Sequence, residues 1–276
     1  MKKIFALCAI AIIISGCTLT ANKTVQETMT YVEINNKKMN TLVKGNGNQT
    51  IVLLSGWGTE DPINDFTPLI NELSSHFRVV ALEYFGYGKS DVTEKERTNK
   101  EFTEEIRSTL KNLNINPPYV LMPHSMSGLY SLYYANTYPA EVAAIVGIDA
   151  SLPQKQLERW TKESFEKEKL NTNTTDLNIS IIHQWNQFYD NSLELKDNKY
   201  PEQLPILSFL VSEQVEAVDQ MIESDKMKTS WVEINKQVLT NPRIQRLDIL
   251  NGEHYLHHDQ LQAIAKTTIA FITEYL

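Results

Sequence analysis

Tyr119-Val120-Leu121-Met122-Pro123-His124-Ser125-Met126-Ser127-Gly128-Leu129-Tyr130 is a short apolar run that stops at a serine and then continues at helical spacing, with Leu129, Leu132 and Tyr133 on one face. The pattern predicts a strand, a sharp turn and a helix, with Ser125 in the turn. A serine so placed carries its hydroxyl at the carboxyl edge of a sheet. The next backbone N–H lies at a helix start, where partial positive charge collects. Serines in such turns also serve as plain helix caps, so the flanking segments have to decide between the two roles.

Upstream, alternating residues around 30–34 and 39–43 on either side of Asn35-Asn36 predict an amino-terminal hairpin. Ile51-Val52-Leu53-Leu54 and Arg78-Val79-Val80-Ala81-Leu82 are continuous apolar runs, as expected of strands covered on both faces of a parallel sheet. The first runs directly into Ser55-Gly56-Trp57-Gly58 and the second into Glu83-Tyr84-Phe85-Gly86-Tyr87-Gly88-Lys89-Ser90. Helical spacing links Phe66, Leu69, Ile70 and Leu73. It also links Phe102, Ile106, Leu110 and Leu113, a helix stopped by Pro117-Pro118. Strict alternation of strand and helix requires parallel strands with crossover helices, an α/β fold with its site at the carboxyl ends of the strands.

Three segments then stand in a telling order: Ser55-Gly56-Trp57-Gly58, Phe85-Gly86-Tyr87-Gly88-Lys89-Ser90, and Pro123-His124-Ser125-Met126-Ser127-Gly128. Over about residues 28–276 the chain resembles the α/β-hydrolase family, which carries an HGxG loop, a GxGxS loop and the GxSxG nucleophile elbow at these places. The resemblance implies a mostly parallel central sheet with helices on both faces and a helical cap insertion, here at about 151–204. It implies Ser125 as nucleophile and His254, in Gly252-Glu253-His254 after the last strand, as general base. It also implies an oxyanion hole made by the backbone N–H groups of Trp57 and Met126.

The elbow departs from the family pattern as PxSxS. Ser127 is still small, and Pro123 fits if that position neither donates a hydrogen bond nor needs positive φ. For the triad acid the expectation is Glu213, the first carboxylate beyond the run 205–211. Asp149, at the end of the run 142–148, is the alternative, and Glu216 follows behind both. Glu213 near a helix start would equally suit a capping role. Among the other histidines, His124 is expected to pack beneath the elbow, and His257 and His258 to be solvated on the approach to a closing helix at 261–272. Helices are expected at 154–170, 177–189 and 215–239. Trp160, Phe165, Trp185, Phe188 and Tyr189 either line the underside of the cap or pin it to the core.

The amino terminus carries a separate message. Lys2 and Lys3 precede an apolar run from Ile4 to Ile14, too short to span a bilayer, and then Ser15-Gly16-Cys17. The ending resembles the bacterial lipoprotein signal. It implies a signal peptide over 1–16, a diacylglycerol-bearing Cys17, a tether over 17–27 and an exported protein held at the bacterial membrane or surface by its lipid. The only other cysteine, Cys8, lies within the removed segment, so no disulfide or cysteine metal site is expected.

The 276 residues carry a formal charge of -8 with no concentrated basic surface, which argues against a nucleic-acid partner. Neither GxxxxGK[ST] nor a helix-opening GxGxxG occurs, and neither HExxH nor a clustered Cys/His metal-ligand spacing is read in the chain. No cofactor and no metal are therefore expected. The expected function is a serine hydrolase acting on a small-molecule carboxylic ester, thioester or amide through an acyl-enzyme. The alternative is a surface lipoprotein that keeps the fold but binds a ligand without turnover. Oligomeric state is not legible in the sequence.

Overall fold

Strands β1 (Glu27–Ile34) and β2 (Lys37–Lys44) pair antiparallel from Glu27 opposite Lys44 to Ile34 opposite Lys37. Asn35 and Asn36 turn the hairpin with φ of 52° and 63°, the left-handed pair that matches the strand twist. Six further strands complete the sheet: β3 (Thr50–Leu54), β4 (Arg78–Leu82), β5 (Tyr119–Pro123), β6 (Val142–Ile148), β7 (Ile206–Val211) and β8 (Gln245–Leu250). Their spatial order is β1-β2-β4-β3-β5-β6-β7-β8, with β2 antiparallel to β4 and every pairing from β4 to β8 parallel. The computed structural model describes residues 26–224 and 226–276. The expected signal segment 1–16, Cys17 and the tether as far as residue 25 lie outside the described residues.

The parallel strands are apolar on both sides because both sides are covered. Ile51, Leu53, Val79, Ala81, Val120 and Met122 face helices α1 (Pro62–Leu73) and α10 (Leu261–Tyr275), meeting Phe66, Leu69 and Phe271. Val52, Leu54, Val80, Leu82 and Leu121 face α2 (Asn99–Asn112) and α3 (Ser127–Thr137), meeting Phe102, Ile106 and Leu129. At about 25 cal/mol per Å² of apolar surface removed from water, these two layers supply the main drive for folding. From β3 the chain steps outward to β4, then returns past β3 to form β5. The carboxyl ends of β3 and β5 therefore flank the point where the winding reverses, the crevice in which such sheets bind ligands.

Between β6 and β7 lie α4 (Pro153–Arg159), α5 (Lys162–Asn171) and α6 (Ile179–Glu194). The helix expected over 154–170 is two helices, because Trp160 is extended (φ -128°, ψ 138°) and Thr161 starts α5 with a reciprocal cap to Ser164. The region expected as one helix over 215–239 is α7 (Ser212–Glu223) and α8 (Trp231–Val238), the second capped by Ser230. Helix α6 is seated on the loop after β4. Asn178 donates to the Gly86 carbonyl (2.6 Å), Ser180 donates to that of Thr93 (2.8 Å), and Asn191 donates to that of Arg97 (2.9 Å). The short α9 (Leu256–Asp259) leads into α10. Among the described residues no helix is long and apolar enough to cross a membrane.

Candidate active site

Ser125 follows β5 and precedes α3, with φ of 52°, a left-handed conformation that costs a non-glycine residue of order 1 kcal/mol or more. The surrounding backbone holds it there. Its N–H donates to the Ile148 carbonyl (3.3 Å), and its own carbonyl accepts from the N–H groups of Gly128 (3.0 Å) and Ser151 (2.8 Å). The turn thrusts the side chain off the sheet edge, half-exposed. The hydroxyl donates to His254 Nε2 at 2.9 Å, and His254 Nδ1–H donates to Asp149 Oδ2 at 2.6 Å.

The carboxylate that meets His254 is Asp149, not Glu213. The strand β7 passes into α7 without an intervening loop, so Glu213 sits exposed in the first helical turn, where an acidic side chain suits the helix dipole. Glu216 is exposed on the same helix. Asp149 lies one residue beyond β6, the neighbour of β5, in a left-handed conformation (φ 41°) with its N–H bonded to Phe209 O (2.8 Å). It is 3% exposed, and its second oxygen accepts from the indole N–H of Trp231 at 3.4 Å. The half-buried Lys155 stacks on the same Trp231 ring, 4.3 Å from its centroid, and donates to Gln214 at 2.9 Å. Burial pushes the Lys155 amine down to about 8, against the opposing pull of Asp149.

Both departures of the elbow from GxSxG have structural reasons. The β5–β6 pairing runs over Tyr119 to Leu121 and reappears as a bridge between His124 and Ile148, so Pro123, which has no N–H, falls in the interruption. The Ser127 hydroxyl donates to the Ser55 carbonyl (2.5 Å) and accepts from Tyr84 (3.1 Å), tying the elbow to the loop after β3. The position that tolerates no side chain is Gly128: a Cβ there would lie 2.3 Å from the Ser151 carbonyl oxygen. Gly56 is similarly constrained, since its Cβ would lie 2.9 Å from that of Ser125.

That close approach brings the loop after β3 against Ser125. The loop is fixed by Gly58 N–H to Tyr87 Oη (3.2 Å) and by the Trp57 indole N–H to the Ile181 carbonyl (3.0 Å). Among the described residues the backbone N–H groups of Trp57 and Met126 are engaged in no turn or loop hydrogen bond. Trp57 also meets Trp185 of α6, with ring centroids 5.1 Å apart, and Trp185 packs with Trp160, Phe165 and Phe188. Phe165 and Phe188 are buried and form the apolar centre of these helices. The cluster pins α5 and α6 together and reaches the site through Trp57.

Contacts that the sequence did not disclose hold His254 in place. His124 is buried, and its Nε2–H donates to the backbone carbonyl of His254 at 2.9 Å, so the residue before Ser125 carries His254. Burial and the neighbouring histidines push the His124 imidazole well below its usual value, and it remains neutral. His257, expected to be solvated, is 1% exposed, and its Nε2–H donates to Asp65 of α1 at 2.9 Å. Burial lowers its imidazole too. His258 is exposed, and its Nε2 lies 2.9 Å from the other oxygen of Asp65. Sequence separations of 130 between His124 and His254, and of 192 between Asp65 and His257, left no local signal.

Residues 49–173 match the family described as alpha/beta hydrolase fold, and with the sheet order above the chain has the α/β-hydrolase fold. The uncharacterized protein YbdG of Bacillus subtilis (strain 168) is 36% identical over 126 residues, 46% of this chain and 39% of YbdG. The chain thus spans about two fifths of that relative's length. The uncharacterized protein YqjL of the same strain is 23% identical over 218 residues, 79% of this chain and 81% of YqjL. Among solved structures, Cfl2 from Burkholderia cenocepacia superposes with a TM-score of 0.67 at 15% identity, covering 89% of this chain and 95% of that one.

Proposed function

We propose that the protein is a serine hydrolase that cleaves a small-molecule carboxylic ester, or a related thioester or amide, through an acyl-enzyme on Ser125. The observation that carries this reading is the unbroken chain Ser125 Oγ, His254 Nε2, His254 Nδ1, Asp149 Oδ2, with steps of 2.9 and 2.6 Å. A serine hydroxyl is a weak nucleophile until a base removes its proton, and the buried carboxylate fixes the tautomer that leaves Nε2 free to do so. Ser125 Oγ attacks the substrate carbonyl carbon as its proton passes to His254 Nε2. The tetrahedral intermediate then expels the leaving group, which takes that proton from His254. Water, deprotonated by the same nitrogen, attacks the acyl-enzyme, and the carboxylic acid leaves with Ser125 restored.

The oxygen that turns negative is assigned to the N–H groups of Trp57 and Met126, each such donor being worth about 10²–10³ in rate. Their lack of a turn or loop hydrogen bond among the described residues and the close approach of Gly56 to Ser125 support that assignment. The family carries many chemistries on one scaffold, so the site and not the fold supports the reaction. A fluorophosphonate probe tests it: stoichiometric labelling of the wild type and none of Ser125→Ala is expected. A folded wild-type protein that takes no label would leave a ligand-binding role without turnover as the reading.

A further inference from the structure

The loop that presents His254 carries a second cluster. Asp65 on α1 and His257 and His258 on α9 bring one carboxylate and two imidazoles together, with ligand atoms all within 4.8 Å of one another. Each Nε2 lies 2.9 Å from its own oxygen of Asp65. The cluster borders a surface cavity of about 630 Å³, lined among others by Asp61, Asp65, Tyr255 and His258. The arrangement is absent from the local sequence because Asp65 and His257 lie 192 residues apart.

We propose that Asp65, His257 and His258 form a zinc site that clamps the loop bearing His254 to α1. Two imidazoles and a carboxylate are a donor set for zinc and the late first-row divalent ions, and a poor one for magnesium or calcium. With bonds of about 2.0–2.1 Å, tetrahedral zinc asks for ligand atoms about 3.3 Å apart. The two nitrogen–oxygen distances of 2.9 Å would open by a few tenths of an ångström, and the ligand atoms, now within 4.8 Å of one another, would draw in around one carboxylate oxygen. The cavity leaves room for solvent at the remaining position.

Zinc on His257 Nε2 requires the Nδ1–H tautomer, and Nδ1 is buried without a partner among the described residues, so the metal bond has to offset one unpaired N–H. Asp61 and Glu60 on the cavity wall add negative charge near the cation. The test requires no turnover, so the zinc site stands or falls separately from the proposed hydrolysis.

Full-length protein is stripped with EDTA, given a small excess of zinc, desalted and assayed for zinc per chain, with the melting midpoint measured alongside. The wild type is expected to retain about one zinc that His258→Ala and Asp65→Asn do not, with affinity at least about tenfold weaker in each variant. Zinc should raise the wild-type midpoint, as any ligand of the folded state does, and leave those of the variants unchanged. His258 is exposed, so its variant retains the packing of the loop. Equal zinc retention in wild type and variants, or a wild type that retains none and shows no shift, overturns the proposal.

Discussion

Asp149 and Glu213 differ by one methylene and by the backbone that carries them. Both follow a parallel strand of the same sheet, but β6 ends in a left-handed residue beside the elbow while β7 ends in the first turn of a helix. The aspartate is turned inward under Trp231 and the glutamate outward into water. Asp149→Asn should therefore lower kcat by about 10³–10⁴-fold, because the amide no longer holds the required imidazole tautomer. Glu213→Gln should leave kcat and KM unchanged. Steady-state kinetics on one ester substrate checks both, and a large loss in Glu213→Gln would restore the other assignment.

The strand-turn-helix of the elbow is built from contacts that its consensus does not describe. Ser127 ties α3 to the loop after β3 through Ser55 and Tyr84, while the close approach to Ser151 falls on Gly128. Restoring the family glycine by Ser127→Gly should destabilise the protein. It deletes a buried hydroxyl with two partners, at roughly 1–3 kcal/mol. At roughly 2–4 °C per kcal/mol for a chain of this size, a calorimetric scan should show the midpoint fall by several degrees.

On α4, Lys155 holds a cation against Trp231 with Gln214, Asp149 and Arg159 around it. Its amine titrates near 8 when folded and near 10.5 when unfolded, so between those values the unfolded chain binds the extra proton. Stability from this group therefore rises with pH across that window, and the full cost of burying the charge is present below it. Lys155→Met should raise the melting midpoint at neutral pH, with the gain shrinking above about pH 8 and gone by about pH 10.5. A gain that does not vary with pH would mean that packing, not charge, sets the effect.

Across the whole molecule, two apolar layers fix the sheet and a polar seam fixes the helices above it. Asn178, Ser180 and Asn191 of α6 bond to backbone carbonyls of the loop after β4, and the buried Arg97 in that loop pairs with Glu105 of α2 (2.9 Å). Removing one partner of such a buried pair is costly, so the seam depends on Arg97 and Glu105 together. The membrane expectation belongs to the same scale. If Cys17 bears two acyl chains, they and not the acidic body hold the protein to the bilayer. Cys17→Ser should then move the protein from the membrane fraction to the soluble fraction and abolish labelling by radioactive palmitate in cells. Unchanged palmitate labelling would place the lipid elsewhere.

The sequence determined what depends on neighbours in the chain. Apolar runs at 51–54, 78–82 and 119–122 fixed the strands, helical spacing fixed α1, α2 and α10, and Asn35-Asn36 fixed the hairpin. The order of the two glycine loops, Ser125 and His254 pointed to the α/β-hydrolase fold. Periodicity and turn chemistry act over a few residues, so they are readable from one chain. Only the tertiary structure decided which carboxylate meets His254, what holds that histidine from behind, and that Asp65 joins His257 and His258. Those choices depend on which strand ends lie side by side and whether a helix begins at once or after a turn. Such distances close between residues more than a hundred positions apart, where no local pattern reports them.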